Sequence, residues 1–389
     1  MAIERVVISG MGAISAAGKT TAEIMTSFNS SHRAPSLPTV FKSSLDFPVF
    51  EVSGFTHSPQ IMRTLALAYV ALDEALLSAG FKGSDLSGLR VGVCMGTTVA
   101  SQLNDEAWYR EYCAQGQMRV GPIDTYFDGN LAESLAAHLK VTGPTLTIVN
   151  ACSSGADAIG VALDWLSTGF CDVVIAGGAD EINHIPYCGF GALSVTSVLP
   201  CRPFDKNRNG LNLGEGAGIL VLETEASARK RSRRNDLFVS GYGAAADAYH
   251  LTAPRPDGSG LEAAIAVAIS QAGLKTKDIV FVNAHGTSTK DNDRAEGRTL
   301  LRVFGDDLKF ISTKGFTGHT LGAAGALEAI FAALALRHGW IPGNIGFEEM
   351  DEEIGRAPVA VRTPIAGRAA LSTSLAFGGN NAAVIITGQ

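Results

Sequence analysis

Apolar positions along the chain fall into two alternating kinds of run. Nearly continuous β-branched and apolar stretches at residues 5–10, 90–95, 145–149, 173–177, 218–222, 237–240, 279–283, 369–373 and 382–387 predict strands. Several lack the in–out alternation of a half-exposed sheet, as expected where both faces are covered. Between them, apolar residues recur at helical spacing over 59–79, 123–139, 155–167, 261–272, 294–303 and 321–336. The alternation predicts an α/β chain with helices layered onto sheets. Val173-Val-Ile-Ala-Gly-Gly178 and Leu371-Ser-Thr-Ser-Leu-Ala-Phe-Gly-Gly379 are the same kind of element in two parts of the chain. They suggest an internal duplication joined near Leu237, with an N-terminal half over 1–236 and a C-terminal half over 237–389.

Composition narrows the function. With 389 residues, 18% charged and a formal net charge of −7, the chain is long enough for a large core and too acidic for a nucleic-acid binder. Its one basic run, Arg229-Lys-Arg-Ser-Arg-Arg234, reads as a solvated helix end. No 18-residue apolar stretch predicts a membrane span, because Glu328 interrupts 321–336. The first eight residues are strand-like and lack a signal-peptide layout, so a cytoplasmic protein is expected. Six scattered cysteines without a C-x-x-C suit a reducing compartment. Glycine is frequent, 44 of 389 or about 11% against a usual ~7%, so backbone must approach backbone or ligand closely in places.

Gly10-Met-Gly12-Ala-Ile-Ser15 follows a strand but has serine where a dinucleotide loop needs its third glycine, so a tight turn is the better reading. Thr147-Ile-Val-Asn-Ala-Cys152-Ser-Ser-Gly155 says more: a strand runs into small residues and then a helix, with Cys152 at the junction. There the helix dipole favours a thiolate, although an isolated cysteine is more commonly a small buried residue. His285 lies just past the end of an apolar run, and His319 sits in a glycine-rich turn opening a long helix of small residues. Cys152, His285 and His319 occupy separate loops without short ligand spacing, which disfavours zinc, and no metal is expected. A thiolate that takes up an acyl group beside imidazoles that donate to an oxyanion suits acyl transfer.

Taken together these segments resemble the condensing enzymes of the thiolase superfamily, specifically the elongating β-ketoacyl-[acyl-carrier-protein] synthases. The resemblance covers nearly the whole chain, through Arg5-Val-Val-Ile-Ser-Gly-Met-Gly12, Ala151-Cys-Ser-Ser-Gly155, Arg202-Pro-Phe-Asp205, Gly214-Glu-Gly-Ala-Gly218, Asp247-Ala-Tyr-His-Leu-Thr-Ala-Pro254, Asn283-Ala-His-Gly-Thr-Ser-Thr289, Lys314 to Glu328 and Phe377-Gly-Gly-Asn-Asn381. It implies a thiolase-like five-layered αβαβα fold from two duplicated halves. The implied reaction is a decarboxylative Claisen condensation in fatty acid or polyketide and polyene biosynthesis, with acyl groups and malonate presented by acyl-carrier protein. Phosphopantetheine enters on that carrier, so no resident cofactor is expected.

The same resemblance implies the roles. Cys152 carries the acyl group, and His285 and His319 stabilise the enolate oxygen. Lys314 and Glu328 organise the hydrogen-bond network, with Lys314 near His319 keeping that ring neutral. The N–H groups of Cys152 and Phe377 form an oxyanion hole, and Phe377 gates the site on the Gly378–Gly379 hinge. Thr287, Thr289 and Thr252 contact phosphopantetheine. Arg63, Arg202, Lys206 and Arg208 are the basic candidates for carrier docking. Asn209 and Asn212 depart from the family's usual residues, which puts their loop geometry in question. A homodimer or a heterodimer with a related subunit is expected. The alternative, a catalytically silent chain-length-factor subunit, would lack the cysteine. A thiolase would need a second cysteine after Cys201, and a starter-type synthase would carry Asn at 319.

Overall fold

The computed structural model describes residues 4–58, 61–81, 86–98, 102–117, 130–233 and 236–389. The starts of two expected helices, at 59–60 and 123–129, and Arg234 of the basic run lie outside these residues.

Ten of the strands join in one sheet ordered β3-β2-β4-β5-β1-β6-β12-β11-β7-β8. The strands of the first five are β1 (Val6–Ser15), β2 (Val91–Gly96), β3 (Thr145–Ile148), β4 (Val173–Asp180) and β5 (Gly216–Thr224). Those of the second five are β6 (Leu237–Ala246), β7 (Ile279–Asn283), β8 (Phe310–Ile311), β11 (Ala369–Ala376) and β12 (Asn380–Gly388). A two-stranded ribbon, β9 (Trp340–Ile341) with β10 (Thr363–Pro364), stands apart. Counted from its own first strand, each set of five has the order 3-2-4-5-1, with strands 1, 5 and 4 antiparallel and strands 4, 2 and 3 parallel. Among the described residues, the strands of the two sets pair through Val6 and Val7 of β1 against Val239 and Phe238 of β6.

Helices complete the layers. We label them α1 (Arg63–Ala79), α2 (Leu131–Leu139), α3 (Ser154–Ser167), α4 (Ser259–Ala272), α5 (Lys290–Phe304) and α6 (Ala324–His338). α1 and α2 pack on one outer face of the first set, and α4 packs on β6 and β12, with α5 against α4, on the other side. α3 and α6 lie between the two sets and touch strands of both. The result is an αβαβα stack. β1, β4 and β5 are buried along their whole length, which explains their lack of alternation. Leu321–His338 is apolar enough in length and composition to cross a membrane, yet 83% of it is buried as this central helix. Its alanines let α3 approach closely: a Cβ on Gly155 would lie 2.8 Å from the Gly322 carbonyl oxygen and 3.0 Å from Ala326 Cβ.

Candidate active site

Both central helices begin at the same place. β3 ends at Ile148, and the chain turns sharply through Ala151, whose left-handed φ of 49° is costly for a residue with a Cβ, before Cys152 and α3. Ser154 Oγ donates to the Ala151 carbonyl (2.7 Å) and accepts from Asn150 N–H (2.7 Å), which holds the turn. On the other side His319 precedes α6, its backbone bridged to residues 212–214 by His319 N–H to Asn212 O (2.8 Å) and Gly214 N–H to His319 O (2.9 Å). Asp180 ties the two halves together here, accepting from Thr98 N–H (2.9 Å) and Gly322 N–H (2.6 Å). His285 follows β7, and Gly286 beside it has φ 43° with Ser312 so close that a Cβ would meet it at 2.4 Å.

The expected residues converge. His319 Nε2 lies 3.1 Å from Cys152 Sγ, and the two imidazole rings are 5.2 Å apart, nearly perpendicular. All are buried. Lys314 Nζ reaches His285 Nδ1 (3.0 Å), the His285 carbonyl (2.6 Å) and the Glu328 carboxylate. Its direct hydrogen-bond partner is His285, and its charge also acts on His319, the ring it was expected to keep neutral. Burial, and then Lys314, hold both imidazoles well below the usual histidine range, so both are neutral.

Hydrogen-bond chemistry fixes their tautomers. A lysine ammonium only donates, so His285 Nδ1 is the acceptor and its proton sits on Nε2. Leu321 N–H donates to His319 Nδ1 (3.1 Å), which places that ring's proton on Nε2 as well. His285 Nε2 is buried without a hydrogen-bond partner, and its residue lines the same cavity as Cys152 and His319. Cys152 Sγ receives His319 Nε2–H and the Phe377 N–H. Burial nonetheless pushes the thiol up to about 11, against Lys314 and the Phe377 N–H, which pull it down. The expectation of a dipole-stabilised thiolate is thus offset by desolvation at rest.

These groups floor a cavity of about 410 Å³ that Thr252, Thr287, Thr289, Asn209, Phe190 and Phe377 also line. Thr287 and Thr289 share a hydroxyl–hydroxyl bond of 2.8 Å, and Phe190 stacks on Phe377 at 5.3 Å. Gly378 and Gly379 follow Phe377 with φ of 86° and 80°, values that exclude most side chains. Asn209 and Asn212 do not disturb their loop: Asn209 accepts from Ser197 Oγ (2.7 Å), while the Asn212 amide bonds Cys201 N–H (2.7 Å) and Ser197 O (2.8 Å).

Two docking candidates are corrected. Arg63 is 3% exposed and makes a two-pronged bond to Glu215 (2.7 and 2.6 Å) at the start of an apolar helix. Arg208, equally buried, bonds Asp351 (2.5 Å) and the carbonyls of Asp205 and Lys290. Charges so desolvated need internal partners and cannot meet a protein surface. Arg202 and Lys206 remain accessible, each in a surface pair with Glu348 or Glu349. A residue the sequence did not single out is Glu296, buried on α5, which accepts from His285 N–H (2.7 Å), Gly286 N–H (2.8 Å) and Thr373 Oγ1 (2.7 Å).

Separation in sequence turns out to be no argument against a metal, because the ligand atoms of Cys152, His285 and His319 lie within 4.8 Å of one another. The field argues the other way. The Lys314 charge behind the rings, with the His285, His319 and Phe377 N–H groups gathered around Cys152 Sγ, suits an anionic oxygen better than a cation.

Sequence profiles of the beta-ketoacyl synthase N-terminal and C-terminal domains match residues 3–228 and 238–348. A 3-oxoacyl-[acyl-carrier-protein] synthase 2 of Staphylococcus aureus (strain N315) is 33% identical, covering 98% of each chain. One from Synechocystis sp. is also 33% identical, over 97% of this chain and 96% of its own. Among solved structures, the ishigamide ketosynthase/chain length factor superposes with a TM-score of 0.95 at 32% identity over all of both chains. The ketosynthase ApeO in complex with its chain length factor ApeC, from Xenorhabdus doucetiae, gives 0.87 at 27% identity, over 99% of this chain and 98% of that one.

Proposed function

This chain belongs to the β-ketoacyl synthase family, and on that premise we propose that it elongates acyl chains on acyl-carrier protein by decarboxylative Claisen condensation, in fatty acid or polyketide biosynthesis. The observation that carries this is the pair of Nε2–H groups, one on Cys152 Sγ and one unpartnered, facing a common cavity. Cys152 attacks the thioester carbonyl of an acyl-carrier protein. The tetrahedral oxyanion is held by the Cys152 and Phe377 N–H groups, and its collapse expels the phosphopantetheine thiolate, which leaves with the proton of the cysteine thiol. Malonyl-carrier protein then enters. As its C–C bond to the carboxylate breaks and carbon dioxide leaves, the electron pair forms an enolate whose oxygen is held by His285 and His319 Nε2–H. The enolate carbon attacks the acyl-enzyme carbonyl, and the carbon–sulfur bond to Cys152 breaks to give a β-ketoacyl-carrier protein and a Cys152 thiolate, which takes up one proton from solvent to restore the thiol.

Phosphopantetheine arrives on the carrier along Thr252, Thr287 and Thr289, so the enzyme needs no cofactor of its own. A related subunit or a second copy pairs along the outer edge of β3, where Leu146 on the strand and Val149 just past its end are exposed. Cys152 with both histidines favours the catalytic subunit over a silent chain-length-factor role. The cytoplasm, where carrier proteins are charged, is the proposed location. Cys152→Ala tests the reading: acyl-enzyme and condensation are lost while malonyl decarboxylation persists, read by intact-mass spectrometry and carbon dioxide release. A stable acyl adduct on another residue would sink it.

A further inference from the structure

The hairpin that carries Phe377 is anchored at an unexpected point. Ala376 and Asn380 pair at the ends of β11 and β12, leaving Phe377, Gly378 and Gly379 as a three-residue loop. Asn380 Nδ2 then donates to Asn150 Oδ1 at 2.6 Å, across 230 residues of sequence. Asn150 is the residue two before the nucleophile, on the entry side of the strained Ala151 turn.

The sense of this bond is fixed by what lies behind it. Asn150 Nδ2 is 2.6 Å from Asp157 Oδ2, an acceptor, so that end of the amide is nitrogen and the other end, facing Asn380, is oxygen. Asp157 is held in turn by Ser153 Oγ (2.9 Å) and by the Tyr242 hydroxyl (2.7 Å). One chain of side chains therefore runs from β6 through the first turn of α3 to the nucleophile turn and on to the Phe377 hairpin. The next residue on the same strand has its own tether, Asn381 Nδ2 to Asp247 Oδ1 at 2.8 Å, which does not touch the cysteine turn.

We propose that Asn150 and Asn380 are positioning residues: their amide bond locks the Phe377 hairpin to the Cys152 turn and so sets the spacing of the two oxyanion donors. The Cys152 N–H belongs to one half of the fold and the Phe377 N–H to the other. A hole built from two separate segments works only if their separation is held to a fraction of an ångström. This rests on the ketosynthase reading, in which Cys152 is acylated through a tetrahedral oxyanion.

The test compares two reactions of one sulfur in wild type, Asn380→Ala and the isosteric Asn380→Asp. Acylation by an acyl-carrier protein thioester needs the oxyanion hole; alkylation by iodoacetamide does not. Both variants should lose roughly tenfold to a hundredfold in the acylation rate, less than the ~10²–10³-fold cost of deleting an oxyanion donor outright, because the donor is displaced and not removed. The alkylation rate and thermal midpoint should stay within about twofold and about 2 °C of wild type. Wild-type acylation in both variants overturns the proposal, as does a parallel loss of acylation and alkylation, which would mark a purely structural role. A wild-type protein that alkylates but is never acylated refutes the ketosynthase reading instead.

Discussion

Lys314→Met separates the two jobs that Lys314 Nζ performs, one electrostatic and one catalytic. The substitution keeps most of the buried stem and removes three donated bonds, to Glu328, to the His285 carbonyl and to His285 Nδ1. Glu328 is then a buried carboxylate whose other oxygen already has no partner. Breaking a buried pair from one side costs about 3–5 kcal/mol. Protonation relieves part of that, because burial already raises this carboxyl above its usual range. A loss of about 3 kcal/mol is expected. Adding Glu328→Gln removes the stranded charge and should restore most of it. Catalysis should not return, because His285 Nδ1 is no longer held as an acceptor and nothing fixes the proton on Nε2. The expected loss of malonyl decarboxylation is about 100-fold, or ~2.7 kcal/mol, in single and double variants alike. Chemical denaturation and carbon dioxide release measure the two quantities. If the double variant regains decarboxylation together with stability, the tautomer argument is wrong.

Three further outcomes follow from the same geometry. Arg63→Ala should destabilise the fold by about 3 kcal/mol, leaving Glu215 buried, and should leave carrier-protein affinity unchanged in a binding titration. Between pH 7.5 and 5.5, histidine-labelled NMR should find His285 and His319 neutral and protonated at Nε2; imidazolium signals near pH 6.5 would contradict the burial argument. Stability follows from the same shifts with a definite sign. Unfolded histidines gain protons below about 6.5 and folded ones do not, so acidification destabilises through them. Glu296, raised to about 7 by burial, opposes this, and Glu296→Gln should steepen the acid loss measured by thermal midpoint.

Much of this was legible along the chain. Strand 279–283 has the expected bounds, and the nucleophile turn was marked by its run of small residues between strand and helix. β8 escaped because two residues carry no periodicity. The helix His184–Ala192, which supplies Phe190 to the cavity, contains Pro186 and two glycines and reads as a loop. The docking arginines went wrong because a charged residue does not announce its exposure. For Arg63 the signal was the apolar sequence on both sides, Met62 before it and Leu65, Leu67 and Ala68 after it, all buried. Glu296 looked like one acid on a polar helix. Asn292, Asp293 and Glu296 falling on one side of α5 hinted at an inward polar face, but the backbone N–H groups that the two acids accept from lie in other segments.

The repeated strand order has a last consequence. Cys152 leaves the third strand of one repeat and His319 leaves the third strand of the other, each just ahead of the helix that crosses to the middle of the molecule. They are the same address written twice. The scaffold offers a backbone corner at each repeat, and the sequence assigns one to the attacking atom and its twin to a proton-bearing ring. Their 3.1 Å meeting thus follows from the repeated strand order, so a change of residue at either corner leaves the encounter of the two corners in place.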